Sequence, residues 1–179
     1  MFIAHLPAGY ALWHSLGLSD SPILAARERR PVLAVFLVAS VFPDVDLLYF
    51  YHFDPRRLQH HYYWTHLPVF WLAVFAVGMF TAALYQQRRL ALLVSAFSAG
   101  ALLHLILDTP FGGIAWLYPF SDKLFALVTT PDPRRPWYFD FFLHWTFLVE
   151  LALCGWAAWV FHRRHWQKTP PPTPSEPSL

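Results

Sequence analysis

The sequence predicts an all-α integral membrane bundle of four or five spans, with a structured loop between the last two. Three observations lead there. Apolar residues make up 56% of the 179-residue chain and charged residues only 13%, against roughly 45–50% and 25% in ordinary soluble domains. Four long apolar stretches follow one another along the chain. Trp and Tyr gather near their ends, where a bilayer has its polar boundary. With so few charges to cover a surface, lipid has to do part of the covering.

A helix needs roughly 20 mostly apolar residues to cross a bilayer. Residues 31–50, 66–85, 90–107 and 141–161 approach that length. A fifth stretch, 2–18, is shorter and is interrupted by Pro7 and Gly9, so it either spans or lies along the interface. Tyr49, Tyr51, Tyr62, Tyr63, Trp64, Tyr85, Trp137 and Tyr138 form the expected aromatic belts. Residues 108–140, rich in Pro, Gly and aromatics, read as the structured loop. Residues 1–168 form one membrane-embedded domain. The tail 169–179, TPPPTPSEPSL, is read as disordered, because Pro denies it helix and it has little apolar surface to bury.

Charge sets the orientation. With four alternating spans, one side receives Arg27, Arg29, Arg30, Arg88, Arg89, Arg163, Arg164 and Lys168, and the other Arg56, Arg57, Lys123, Arg134 and Arg135. The richer side is expected to be cytoplasmic, which puts the C-terminus there in a bacterial inner membrane. A net charge of +2 with no basic stripe argues against nucleic acid. The single cysteine, Cys154, rules out an internal disulfide and a multi-thiolate zinc site. Any metal must therefore be held by nitrogen and oxygen.

Histidines and aspartates collect on the opposite, outer face. His104-Leu-Ile-Leu-Asp108 places an imidazole and a carboxylate one helical turn apart, on one side of a helix. Asp140-Phe-Phe-Leu-His144 repeats the spacing in reverse order. His61 and His66 flank Tyr-Tyr-Trp-Thr. Asp44 and Asp46 lie two residues apart, so one can hold a metal while the other orients a ligand histidine from behind. If 2–18 crosses, His5 reaches the same face. Carboxylates this deep in apolar sequence cost about 2.5–3.5 kcal/mol each unless paired, and a divalent metal offsets that. The rival for the His104/Asp108 pair is an ion pair or proton relay, as in a transporter with Glu150 as a further member. A structural membrane protein without catalysis is the third reading. No phosphate loop, nucleophile elbow or His-Glu-x-x-His is present, so in an enzyme a metal-activated water is the nucleophile the chain can supply.

His5 with Gly9, Pro43-Asp44-Val45-Asp46, His61-Tyr-Tyr-Trp-Thr-His66, and Gly100-Ala-Leu-Leu-His104-Leu-Ile-Leu-Asp108-Thr-Pro-Phe-Gly112 through Tyr118-Pro119-Phe120 together resemble the YdjM-like family. These are bacterial inner-membrane proteins described as metal-dependent hydrolases and distantly similar to zinc-dependent phospholipase C. The match runs from residue 5 to about residue 123. It implies a zinc site, with manganese as the alternative. The implied ligands come from His5, Asp44 or Asp46, His61, His66, His104 and Asp108; Asp140 and His144 rest on spacing alone. It also implies hydrolysis of a phosphoester or lipid-borne substrate, for which Asp44, Asp46, His104 and Asp108 are the candidate catalytic residues. The family commonly has Arg after the first His of the His-x4-His block, where this chain has Tyr62. That leaves Arg56 and Arg57 as the candidate contacts to an anionic headgroup, with plain anchoring to membrane lipids as their other role.

Overall fold

The computed structural model describes residues 3–54, 60–128, 142 and 144–166. Among them the regular structure is helical: α1 His5–Ser15, α2 Ala26–Ala39, α3 Asp46–His52, α4 Pro68–Leu84, α5 Arg88–Gly112 and α6 Thr146–Trp166, with short 3-10 turns between. The lone β-like contact is an antiparallel bridge from Ile114 to Phe125. It folds the segment after α5 back over the end of that helix, where the N–H groups of Leu127 and Val128 donate to the Pro110 carbonyl.

Side-chain contacts set the helix directions. Trp13 packs against Phe36, and Gly9 lies beside Ser40, so α1 runs opposite to α2. Glu28 pairs with Arg88 at one end of α2 and α5, and Ser40 meets His104 at the other, so these two helices run the same way. Gly78 lies against Val94 and Trp71 packs with Leu105, so α4 runs opposite to α5. Ala11 packs with Ala157 and Val160, and Glu150 reaches Ile3 and Ala4, so α6 runs parallel to α1. The C-terminal ends of α2 and α5 therefore share one end of the bundle with the N-terminal ends of α1, α4 and α6.

α5 approaches α2 closely because it has no side chain at Gly100. A Cβ there would lie 2.4 Å from the Phe36 carbonyl oxygen and 2.8 Å from Ala39 Cβ. Small residues at such crossings let two backbones come together, as membrane helices require.

α5, with 25 residues, is long and apolar enough to cross a bilayer. The expected span 31–50 is instead two pieces. α2 stops at Ala39, a 3-10 turn over Phe42–Val45 follows, and α3 leaves at a 51° bend. Pro43 at the start of that turn accounts for the break, since proline has no N–H to give to a continuing helix. Taken together the two pieces make a second, broken candidate span. α4 is apolar but only 17 residues long. Large apolar side chains line the outside: Leu72, Phe75, Val77 and Phe80 on α4 and Leu148, Leu151, Trp159 and Phe161 on α6 are exposed. A surface of that kind calls for lipid or a partner to cover it.

Candidate metal centre

The break between α2 and α3 creates the site. The last carbonyls of any helix lack an intrahelical partner. Here the Ser40 carbonyl, fully buried at the end of α2, is taken by His104 Nδ1 at 2.9 Å. A carbonyl oxygen can only accept, so Nδ1 carries the proton. The ring then turns Nε2 toward Asp108 Oδ2 at 3.0 Å and Asp44 Oδ1 at 3.5 Å. Nε2 is buried and makes no hydrogen bond of acceptable geometry.

His66 repeats the arrangement. It ends the 3-10 turn Trp64–His66, which Trp71 fixes by donating its indole N–H to the Thr65 carbonyl at 2.7 Å. His66 Nδ1 donates to Asp46 Oδ2 at 2.7 Å, and the Thr65 hydroxyl bonds to the same oxygen at 2.5 Å. His66 Nε2 consequently faces the interior, 3.8 Å from both Asp44 Oδ1 and Asp108 Oδ2. Asp46 is buried and stands behind the histidine, in the position that orients a metal ligand and sets its tautomer.

Asp44, His66, His104 and Asp108 thus offer two imidazole nitrogens and two carboxylate oxygens, all within 4.8 Å of one another. Tetrahedral ligands at about 2.0–2.1 Å from zinc stand about 3.3–3.4 Å apart. The observed separations of 3.0 to 3.8 Å bracket that value. A cation, whether a proton on the imidazole or a metal ion, is needed between nitrogens and carboxylates set this close. The donor set therefore fits a divalent ion, and nitrogen with oxygen suits zinc or manganese alike.

Two more histidines border this group. His5, the first residue of α1, donates from Nε2 to Asp108 Oδ1 at 3.1 Å and stacks on His104 with ring centroids 3.9 Å apart. His61 Nε2 stands 3.8 Å from Asp108 Oδ2, and its ring stacks on His66 at 4.7 Å. Burial pushes the His61 pKa below its ordinary value of 6.5, which favours the neutral form that a ligand must have. The ring occupies space that only a glycine leaves open. A Cβ on Gly112 would lie 1.7 Å from His61 Cε1.

His144 Nδ1 is 2.9 Å from the Thr146 hydroxyl, and His144 is not a member of the four-residue group. Asp140, Arg56 and Arg57 lie outside the described residues. Ser40, Thr65, Trp71 and Gly112 shape the site without having stood out in the sequence as site residues. Gly112 closes the longest motif block, and Thr65 immediately precedes the second histidine of the His-x4-His block. Those two positions were the available signals. The Ser40 carbonyl has no signal in the side chain at all.

Of the four, His66, His104 and Asp108 are sealed from solvent, whereas the Asp44 side chain is 22% exposed. Access to the centre is thus over Asp44.

A family model described as YdjM inner membrane protein matches residues 1–168. No curated protein and no solved structure matches the chain. The match runs through every helix and through each residue of the candidate centre, and the chain belongs to the YdjM inner membrane protein family.

Proposed function

We propose that this protein is a multi-pass, metal-dependent hydrolase that cleaves a phosphoester, lipid-borne or at the lipid surface, at the outer face of the inner membrane. One observation carries the metal reading. Two buried imidazoles, each with Nδ1 committed to an acceptor behind it, aim Nε2 at the same two carboxylates. The excess of Lys and Arg at the opposite loops puts the site on the periplasmic side and the C-terminus in the cytoplasm. The alternating directions of α1, α2, α4, α5 and α6 are consistent with four or five crossings, with the centre at one boundary.

A divalent ion bound here, zinc or manganese, supplies Lewis-acid polarisation of a phosphoryl oxygen and acidifies water. The chain's own residues do the rest. Asp44, His66, His104 and Asp108 hold the ion. Asp46 positions His66. Asp44, exposed at the mouth, is placed to accept a proton from an incoming water. Arg56 and Arg57, in the segment after α3, are assigned to the anionic headgroup. The buried flank of the site excludes bulk water, which strengthens each of these interactions.

The test is metal content by plasma mass spectrometry on detergent-purified protein, beside hydrolysis of a short-chain phospholipid and of a soluble aryl phosphodiester. One or more equivalents of metal, lost together with hydrolysis in His104→Ala/Asp108→Ala, supports the proposal. Metal without hydrolysis of either probe removes the phosphoester assignment. No metal in freshly prepared wild type sinks the hydrolase reading and favours an imidazole–carboxylate proton relay.

A further inference from the structure

Glu150 lies in the second turn of α6, in otherwise apolar sequence, and is 3% exposed. Its carboxylate reaches the other end of the chain: Oε2 accepts the backbone N–H of Ile3 at 2.7 Å and of Ala4 at 3.2 Å. α1 has no side-chain cap of its own and no acidic residue in its first turn. The first N–H groups of a helix need acceptors, and its positive end favours a negative charge. Glu150 supplies that negative charge from a different helix, accepting from the N-cap residue Ala4 and from Ile3 before it.

The next residue after this contact is His5, which bonds Asp108 through Nε2 and stacks on His104. α1 touches α6 again further along, through Ala11, Ala157 and Val160. That second contact holds the body of α1. Glu150 holds the residues just before its first turn, next to His5.

We infer that Glu150 is a positioning residue for the metal centre: its carboxylate clamps the start of α1 and so holds His5 in its hydrogen bond to Asp108. The clamp is a geometric relation that exists with or without a bound ion, but its consequence for the centre rests on the metal reading above. Carboxylate ligands are themselves held by hydrogen bonds, and loss of such a partner lowers metal affinity about 10- to 100-fold. Glu150 acts one step further out, by fixing the partner.

Two measurements on full-length protein in micelles test this. The first is independent of metal: 15N NMR of the His5 imidazole, assigned by its loss in His5→Ala. In wild type it should report an Nε2–H tautomer in a hydrogen bond. Glu150→Ala should move it toward a solvent-averaged ring, whereas Glu150→Gln, which keeps a carbonyl acceptor, should restore most of the wild-type signal. The second is Co2+ affinity and its visible absorption bands. Glu150→Ala should weaken Co2+ about as much as His5→Ala does, and the double variant should be no weaker than His5→Ala alone. An unchanged His5 signal in folded Glu150→Ala overturns the clamp. So does a Glu150→Ala effect that adds in full to His5→Ala. If wild type takes up no Co2+ while the His5 signal responds as stated, the clamp stands and the metal reading falls.

Discussion

Asp46 Oδ2 lies 2.7 Å from His66 Nδ1, while Asp44 Oδ1 lies 3.8 Å from Nε2 of the same ring. Two aspartates separated by one residue hold opposite edges of one imidazole. They do so because the chain turns between them: Asp44 belongs to the 3-10 turn, and Asp46 opens α3. The division of labour follows from the geometry. Asp44 faces the cluster, and Asp46 braces a ligand from outside it. Asp46→Ala should therefore weaken metal about 10- to 100-fold yet still fill the site at saturation. Chelator competition measures the first and mass spectrometry the second. Complete loss of binding would make Asp46 a ligand.

Gly112→Ala should act on the site without touching a member of the four-residue group. The added Cβ falls 1.7 Å from His61 Cε1, and the imidazole has to move. Gly112→Ala and His61→Ala are expected to lower hydrolysis by similar factors, and the double variant to resemble either alone. Additive losses in such a cycle would show that the two positions act separately.

Gly100→Ala should cost stability first. Its Cβ would meet backbone, the Phe36 carbonyl oxygen at 2.4 Å, and backbone cannot rotate away as a side chain can. Overpacking of this kind costs about 1–3 kcal/mol. Because Gly100 lies one turn before His104, the displaced α5 also draws His104 away from Ser40. Thermal unfolding in detergent should show the lower Tm, with a weaker metal site in the fraction that remains folded.

Acidification should release the metal. Ligand imidazoles must be neutral, so affinity falls as pH drops and binding displaces protons. His61 adds a term of the same sign to folding. Its pKa is held below 6.5 by burial, so the unfolded chain binds the extra proton first. That contribution to stability is full above about pH 6.5 and is lost as pH falls through the depressed folded value. Calorimetry in buffers of different ionisation enthalpy counts the protons released, and denaturation at stepped pH follows the folding term.

Much of the centre was legible in sequence where the chemistry is local. His104 and Asp108 are four apart on a long apolar helix, and a helix puts such residues on one face. Asp44 and Asp46 could be given different duties from their spacing alone. The parts that were not legible depend on tertiary contact. The run 31–50 reads as one span because hydropathy averages across Pro43, yet the bend at that point is what frees the Ser40 carbonyl for His104. Gly100 and Gly112 are unremarkable in composition, and their need appears only when Phe36 and His61 are seen against them. Glu150 was ambiguous because its partners are backbone N–H groups, which leave no mark in a list of side chains. His5 could be associated with the others by resemblance, but nothing near it in sequence indicates Asp108.

The hydrogen bonds from Ile3 and Ala4 to Glu150 join residues 147 and 146 positions apart. A ribosome completes α1 long before it reaches α6. For most of the time the chain is being made, the first helix can dock on α2, but Ile3 and Ala4 lack their carboxylate acceptor. The hydrogen bond that braces Asp108 is thus secured only when the last helix arrives. On the metal reading proposed above, the centre is then finished only once the last helix is in place, and chains truncated before residue 150 lack the clamp.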